Sequence, residues 1–289
     1  MLDLRTLLEL AGLDPNEVLV VRHAPVEKEL RKVLPWLVIE RPDLFLAYQR
    51  VQWQPLEKAM TRARYIASFV GNSPAAGTFA GIYRINGWDN CNLKGYRNLP
   101  GNAELMALGM TGRSEDMPDC LAFELERLDH YSGWIGRLVV TWPKPHQLWW
   151  RWAGRGTFAV DAIAPHSLFV REMPDWQDLV LSWSELQALP PASHTVLAQW
   201  RGIYFIYDTA RAVGYVGSAC GGDNILGRWR NYAKTGHGGN RELRNSAPEN
   251  LRFSILQRTS PDLELQAVVA LESSWKERLH TREFGLNRN

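Results

Sequence analysis

The chain has 289 residues, of which 45% are hydrophobic and 22% charged, so it can bury a sizeable core and is expected to form about two domains. Its apolar runs are far shorter than the roughly 20 residues that a membrane-spanning helix needs, and its first residues do not resemble a secretory signal. We therefore expect a cytoplasmic protein with no membrane partner. The three cysteines are widely spaced, which argues against a disulfide framework or a zinc site.

The segment 1–190 is predicted to form a mixed α+β domain with a strongly bent sheet or a small barrel. The sequence favours helices at Leu4–Leu10, Val26–Val33 and Pro55–Ser68. It favours strands at Thr78–Ile85, Leu121–Leu128, Arg137–Trp142, Gln147–Trp152 and Phe158–Ile163. Eleven of the 13 tryptophans lie at or before Trp200, and they could either stack on splayed bases or pack in a core.

A turn-prone stretch, Leu189–His194, predicts a boundary between this domain and a C-terminal domain at 198–289. From residue 201 onwards the chain has 13 Lys and Arg against 9 Asp and Glu, whereas residues 1–200 have 20 against 22. The C-terminal surplus suits a polyanion such as DNA, because basic side chains that neutralise phosphates release counterions. Ordinary solvated surface charge would produce the same surplus.

The elements of the C-terminal domain follow one another closely. Strands are predicted at Gly202–Asp208 and Val213–Ser218, and together they form a hairpin. A helix is predicted at Asn224–Lys234, a short helix ends at Arg244, and a third strand spans Leu251–Gln257.

The last predicted helix contains a carboxylate where an apolar residue is expected. Ser260 can cap this helix, Pro261 suits its first position, and the pattern continues to about His280. Glu272 lies within the stripe that is predicted to face the core, which consists of Leu265, Val268, Val269, Trp275 and Leu279. Because desolvating an unpaired charge is costly, Glu272 should meet an arginine, a water-filled cleft or a metal ion.

Four ordered sequence blocks cover about the last 90 residues: GIYFIY at Gly202–Tyr207, GYVGSA at Gly214–Ala219, GRWRNYAKTGHGGN at Gly227–Asn240, and LESSWKERLHTREFGLN at Leu271–Asn287. In order and spacing they resemble the GIY-YIG nuclease family. The same first tripeptide occurs at Gly81–Tyr83, but the other blocks do not follow it. That earlier copy is therefore interpreted as an ordinary strand.

The resemblance implies a small α/β sandwich, with a mixed three-stranded sheet flanked by helices, that hydrolyses nucleic-acid phosphodiester bonds. It implies that Glu272 binds Mg²⁺ or Mn²⁺ and that Arg228 contacts the scissile phosphate. Tyr204 would act as the general base or orient the attacking water, and Tyr215 would position that water or a phosphate oxygen. Tyr232, four residues after Arg228 on the same helical face, would contact the same phosphate region.

Four further residues are predicted to contact the substrate or support the site: Ser218, His237, Asn240 and Asn287. Ser218 stands where many relatives have lysine, which removes one cation that could lower the pKa of a tyrosine base. His237 could touch phosphate or could simply belong to a turn. Asn287 matches the terminal asparagine of the family pattern and is expected to support the site.

Each catalytic assignment has a structural alternative. Tyr204 and Tyr215 could be ordinary strand residues, Arg228 could pair with Glu272, and Tyr232 could only pack. Taken together, the residues predict a metal-dependent endodeoxyribonuclease in which the N-terminal domain selects the target or binds a partner. Restriction or defence would use that arrangement, and mobile-element cleavage remains open. A homodimer on DNA would suit a double-strand cut. The alternative is a nucleic-acid-binding module with a catalytically inactive nuclease fold.

Overall fold

The structure is a computed structural model, and it describes residues 2–170, 173–220, 222, 224–235, 237–238, 240 and 242–288. It contains two compact units, Met1–Arg171 and Glu172–Asn289. This division precedes the predicted boundary near residue 190, because the segment between the two positions contributes a strand and a helix to the C-terminal unit. None of the helices in the described part of the chain has the length and apolar composition needed to cross a membrane.

The N-terminal unit consists of a seven-stranded mixed sheet and six α-helices. The helices are α1 Leu4–Leu10, α2 Lys28–Glu40, α3 Pro42–Arg50, α4 Leu56–Met60, α5 Leu93–Asn98 and α6 Asn102–Ala107. The strands are β1 Val18–His23, β2 Tyr65–Ser73, β3 Ala76–Cys91, β4 Cys120–Leu128, β5 Leu138–Thr141, β6 Trp150–Trp152 and β7 Val160–Ile163. The sheet order is β6-β1-β2-β3-β5-β7, with β4 also paired to β3, and only β1 and β2 run parallel. The sheet curls into a half-barrel, which confirms the predicted α+β class and the bent sheet.

One predicted helix of this unit is wrong over most of its length. The helix expected at Pro55–Ser68 ends at Met60, and β2 begins at Tyr65. Residues 66–70 are all buried, and β2 is an inner strand that is paired to β1 and to β3. A strand buried on both faces shows a continuous apolar run rather than alternation, and periodicity alone does not distinguish it from a helix.

His23, at the end of β1, makes the stability of the N-terminal unit depend on pH. Its ring is buried, and burial lowers its pKa to about 4, although Nε2 donates to Gln49 Oε1 at 3.3 Å. In the unfolded chain a histidine titrates near 6.5. The stabilising contribution is therefore complete above about pH 6.5 and is lost as the pH falls towards 4, by a total of about 3 kcal/mol.

Urea unfolding at pH 7 and pH 4.5 would test this expectation. The wild type should lose more free energy of unfolding between the two pH values than the variant His23→Gln. His130→Gln, which changes an exposed histidine of the same unit, should behave as the wild type does. Equal losses in wild type and His23→Gln would contradict the assignment.

The C-terminal unit places helices on both faces of a four-stranded sheet. Its elements are β8 Val180–Ser182, α7 Trp183–Gln187, α8 Pro191–Gln199, β9 Arg201–Asp208, β10 Val213–Ala219, α9 Asn224–Thr235, β11 Leu251–Thr259 and α10 Leu265–Arg278. The sheet order is β10-β9-β11-β8, and all three pairs are antiparallel. The predicted mixed three-stranded sheet is therefore wrong in strand number and direction, although the predicted hairpin and third strand are present.

Alternation along β9 assigns its side chains to two cores. Tyr204 and Ile206 belong to the larger core, which includes residues of α7, α8 and α9. Ile203 belongs to a smaller core with Val268 of α10, and Phe205 packs against that core. Because successive strand residues point to opposite faces, the functional side chains of β9 and β10 are also divided between these two faces.

Candidate functional site

Three tyrosines meet on the face of the sheet that α9 covers. Tyr204 of β9, Tyr215 of β10 and Tyr232 of α9 have ring centroids 6.1–6.5 Å apart, and the Tyr204 and Tyr232 hydroxyl oxygens are 3.2 Å apart. Tyr204 and Tyr232 are buried, whereas Tyr215 is half-buried. We call these residues the tyrosine cluster. Tyr215 is the member that a substrate can reach most readily.

Burial raises the pKa of Tyr204 well above its usual range, and the neighbouring Tyr215 adds to the shift. The hydrogen bond from Tyr232 and the charge of Arg228 oppose it. Burial, together with Tyr204 and Tyr215, also raises the pKa of Tyr232. Both phenols therefore stay protonated at neutral pH. A phenol that stays protonated is a poor general base, so burial favours an orienting role for Tyr204 over the role of general base.

The tyrosine cluster depends on a glycine in the neighbouring strand. Gly217 is directly opposite Tyr204 in the β9–β10 pairing, and a Cβ atom at Gly217 would overlap with the Tyr204 ring and hydroxyl. We expect Gly217→Ala to displace Tyr204 and to lower the free energy of unfolding by about 1–3 kcal/mol. Urea unfolding measures the effect. Gly222→Ala is the matched control, since a Cβ atom there would meet nothing within 4 Å, and equal stability of the two variants would contradict the packing argument.

A second cluster forms on the opposite face of the sheet, where α10 packs. Ser218 Oγ donates to Glu272 Oε2 at 2.5 Å, and Lys276 Nζ is 2.8 Å from Glu272 Oε1. The Lys276 side chain is 5% exposed and that of Glu272 is 16% exposed. We call Ser218, Glu272 and Lys276 the carboxylate cluster. The two clusters share the strand β10, which carries Tyr215 on one face and Ser218 on the other, and the charge of Glu272 adds slightly to the raised pKa of Tyr204.

The expectation that Glu272 faces inward is confirmed, but parts of the supporting pattern are wrong. The helix begins at Leu265, with no side-chain cap, because residues 260–263 form a turn in which the Leu263 N–H donates to the Ser260 carbonyl. Val268 is buried, whereas Leu265, Val269 and Leu279 are exposed. The helix therefore buries a narrower strip than its apolar residues indicate, and Glu272 lies on that strip.

Lys276 was not predicted as the partner of Glu272, although the sequence contains a pattern that indicates this ion pair. Glutamate and lysine four residues apart lie on the same helical face, with the order that favours an ion pair. Lys276 takes the place of the arginine that was expected as the partner of Glu272. Within the described residues, the alternative pairing of Arg228 with Glu272 is not seen.

Arg228 lies on α9 and its side chain is exposed. Its charge lowers the pKa of Tyr204, against the larger effect of burial, which indicates that the guanidinium lies near the tyrosine cluster. An exposed guanidinium near this cluster can donate paired hydrogen bonds to a phosphate. The exposed position of Arg228 is therefore compatible with the predicted contact to a phosphate.

The structure corrects the assignment of Asn287 as a substrate contact. Its side chain is 1% exposed, its Oδ1 accepts from the Val216 N–H at 2.9 Å, and its Nδ2 donates to the Val216 carbonyl at 2.8 Å. Both ends of the amide are therefore used by the backbone of β10. Asn287 holds the strand that carries Tyr215 and Ser218, and this agrees with the expectation that it supports the site.

His237 and Asn240 take part in a turn after α9. The His237 carbonyl accepts from the Asn240 N–H at 2.8 Å, and Asn240 Oδ1 accepts from the Glu242 N–H at 2.8 Å. These bonds match the turn interpretation of His237. A phosphate contact by either residue stays a prediction.

A divalent cation in this unit would be held mainly by Glu272. The described residues contain no group of three or more His, Cys, Asp and Glu side chains that could hold a metal ion. A hard cation such as Mg²⁺ is, however, commonly bound through one or two carboxylates together with waters and substrate phosphates. Among the residues that the structure describes, one partner is seen for each Glu272 oxygen, and a carboxylate offers about four acceptor sites. The residues present therefore fit a site with a single protein carboxylate.

Comparisons with known proteins give little support beyond the sequence motifs. No family model matches the chain, and no curated protein matches it. A solved structure that matches is the catalytic domain of the intron endonuclease I-TevI, determined as a mutant. It is 25% identical, the match covers 31% of this chain and 94% of that domain, and the TM-score is 0.27. A TM-score this low does not establish a shared fold.

Proposed function

We propose that the C-terminal unit is a divalent-metal-dependent endonuclease that hydrolyses DNA phosphodiester bonds. The observation that carries the proposal is Glu272, a carboxylate on the sheet-facing side of α10 that is positioned by Lys276 and by Ser218 of β10, the strand that also carries Tyr215. In many proteins a buried carboxylate–ammonium pair stabilises the fold no more than an apolar pair of similar size, because desolvating the two charges offsets their attraction. Stability alone therefore does not explain the pair, whereas a functional role of Glu272 does.

In such a reaction each residue of the two clusters, together with Arg228, would have a separate role. Arg228 would bind the scissile phosphate and stabilise the charge that develops on it. Tyr215 would orient the attacking water or a phosphate oxygen, while Tyr204 and Tyr232 stay protonated and hold Tyr215 in place. Mg²⁺ or Mn²⁺ bound at Glu272 would polarise the phosphate and stabilise the leaving oxygen. Ser218 and Lys276 would fix the orientation of the carboxylate.

The proposed biological setting follows from the division into two units. A nuclease that contacts mainly phosphates reads little sequence, so target selection is assigned to the N-terminal unit. Such an arrangement suits restriction or defence. A domain with one site cuts two strands either as two copies or in sequential nicks, and we propose a homodimer on DNA.

Incubation of the full chain with supercoiled plasmid tests the proposal. We expect nicked and linear products with Mg²⁺ or Mn²⁺ and none with EDTA. DNA binding is measured in parallel by mobility shift in Ca²⁺ and in EDTA.

A binding module without activity is the second candidate. One observation favours it: both oxygens of Glu272 already have partners within the chain, Ser218 and Lys276. If the protein binds plasmid but leaves it intact with every divalent metal, the binding module is correct and the nuclease proposal fails.

A further inference from the structure

The N-terminal unit contains a cavity of about 590 Å³ that the proposed cleavage reaction does not use. This volume lies in the range of roughly 300–1,000 Å³ that is typical of sites for small organic ligands. Aromatic side chains from separate parts of the chain line it: Tyr48, Trp53, Tyr96 and Trp149. The cavity wall is therefore rich in aromatic groups, which suits a planar ligand.

Polar groups with fixed orientations line the same cavity. Gln52 Nε2 donates to the carbonyl oxygens of Gln49 and Tyr48 at 3.1 and 3.3 Å, which orients the amide. Gln52 Oε1 accepts from no residue in the described part of the chain, so it can accept from a ligand. His23 is neutral at physiological pH, and because its Nε2 donates to Gln49, its Nδ1 is an acceptor.

A carboxylate and a cation complete the lining. Glu27 Oε1 accepts from the Thr111 N–H at 3.0 Å, and its second oxygen can accept from an amino group. The Arg113 guanidinium lies 5.2 Å from the centre of the Trp53 ring. Because the guanidinium lies over one face of this half-exposed ring, a base would stack on the other face or on another aromatic wall, with its phosphate turned towards Arg113.

From these features we propose that the cavity binds a single nucleotide, with the base stacked on the aromatic walls and the phosphate near Arg113. Aromatic side chains suit stacking by any base, and Gln52, His23 and Glu27 present mainly acceptors, which can accept from the amino or ring N–H groups that every base carries. The nucleotide could be free in solution or extruded from a DNA duplex, since enzymes that read a base individually take it out of the stack. The site lies entirely within the N-terminal unit, and the proposal does not rest on cleavage.

Binding of the four deoxynucleoside monophosphates to the full chain is measured by calorimetry, first for the wild type. Trp53→Ala should weaken binding by about tenfold or more, as expected when one base–aromatic stacking contact is lost. Trp88→Ala is the matched control, because Trp88 is similarly exposed, at 44% against 51% for Trp53, and lies outside the cavity. Arg113→Gln should weaken binding of the monophosphates more than that of the corresponding nucleosides. Thermal unfolding of each variant shows whether the unit remains folded.

A duplex that carries 2-aminopurine opposite an abasic position distinguishes the two sources of the nucleotide. An increase in 2-aminopurine fluorescence that is lost in Trp53→Ala and retained in Trp88→Ala supports an extruded base. If monophosphates bind but the 2-aminopurine fluorescence does not increase, the ligand of the cavity is a free nucleotide. The proposal is overturned if no monophosphate binds and the fluorescence does not change, or if folded Trp53→Ala binds as the wild type does. Nucleotide binding by Glu272→Gln is measured as well. If this variant binds nucleotides as the wild type does but does not cut DNA, nucleotide binding and cleavage are independent of each other.

Discussion

Replacing Glu272 with glutamine should reduce metal-dependent plasmid cleavage by about 100-fold or more, because the neutral amide no longer holds a hard cation beside the phosphate. Glutamine has nearly the same size and can still accept a hydrogen bond from Ser218. The change therefore removes the charge and leaves the packing of α10 on the sheet in place. Initial rates of plasmid nicking at saturating Mg²⁺ measure the effect.

The same helix provides a matched control for this experiment. Glu277 lies five residues further along α10, and its side chain is 72% exposed in an ion pair with Arg282. Glu277→Gln changes the net charge by the same amount and should cut at the wild-type rate. DNA binding in EDTA should be the same for both variants. If Glu272→Gln stays folded and cuts as fast as Glu277→Gln does, Glu272 has no role in the reaction.

The variant Glu272→Gln leaves Lys276 as a buried cation without its carboxylate, and removing one partner of a buried pair can itself destabilise a protein. The combined variant Glu272→Gln with Lys276→Met removes both charges. We expect this combination to regain stability in urea unfolding and to remain inactive. Recovery of cleavage in the combined variant would show that the single variant failed for structural reasons only.

Replacing Asn287 with alanine should destabilise the C-terminal unit by about 2–4 kcal/mol, because the Val216 N–H and carbonyl both lose a buried partner. Val216 lies between Tyr215 and Ser218, so cleavage should fall together with stability. Urea unfolding followed by the fluorescence of the full chain measures the free energy, and plasmid nicking measures the activity.

Asn245 supplies the control, because its side chain is exposed in the same unit. Asn245→Ala should be as stable as the wild type. A variant Asn287→Ala that is as stable as Asn245→Ala would contradict the structural role. If Asn287→Ala instead remains stable and only loses substrate affinity, the original assignment of Asn287 as a substrate contact is restored.

Much of the C-terminal unit could be predicted because its signals are local. The strands β9 and β10, the helix α9 and the strand β11 each show their own pattern within about ten residues. The inward position of Glu272 also followed from helical periodicity. The role of Glu272 as a metal ligand, by contrast, was implied by the resemblance and stays a prediction.

The remaining features depend on contacts between distant parts of the chain. The three residues of β8 pair with β11, whose partner residues begin at Arg252, and three residues are too few to show a strand pattern. The pairing of Asn287 with Val216 likewise joins residues that are 71 positions apart. The raised pKa of Tyr204 arises from burial, which sequence spacing does not report. These contacts explain why the sheet differs from the predicted one and why the Asn287 amide is used by the backbone, while the role of Tyr204 as the base stays a prediction.

The strand β8 determines where the C-terminal unit can be separated from the rest of the chain. A recombinant fragment that begins at residue 198 would lack β8 and α7 and would leave one edge of β11 uncovered. It would also expose the core that Trp183, Leu186 and Leu197 cover. An open strand edge beside exposed apolar side chains promotes pairing with other chains and aggregation. A fragment that begins near residue 173 keeps this edge covered and is the better unit for isolated work.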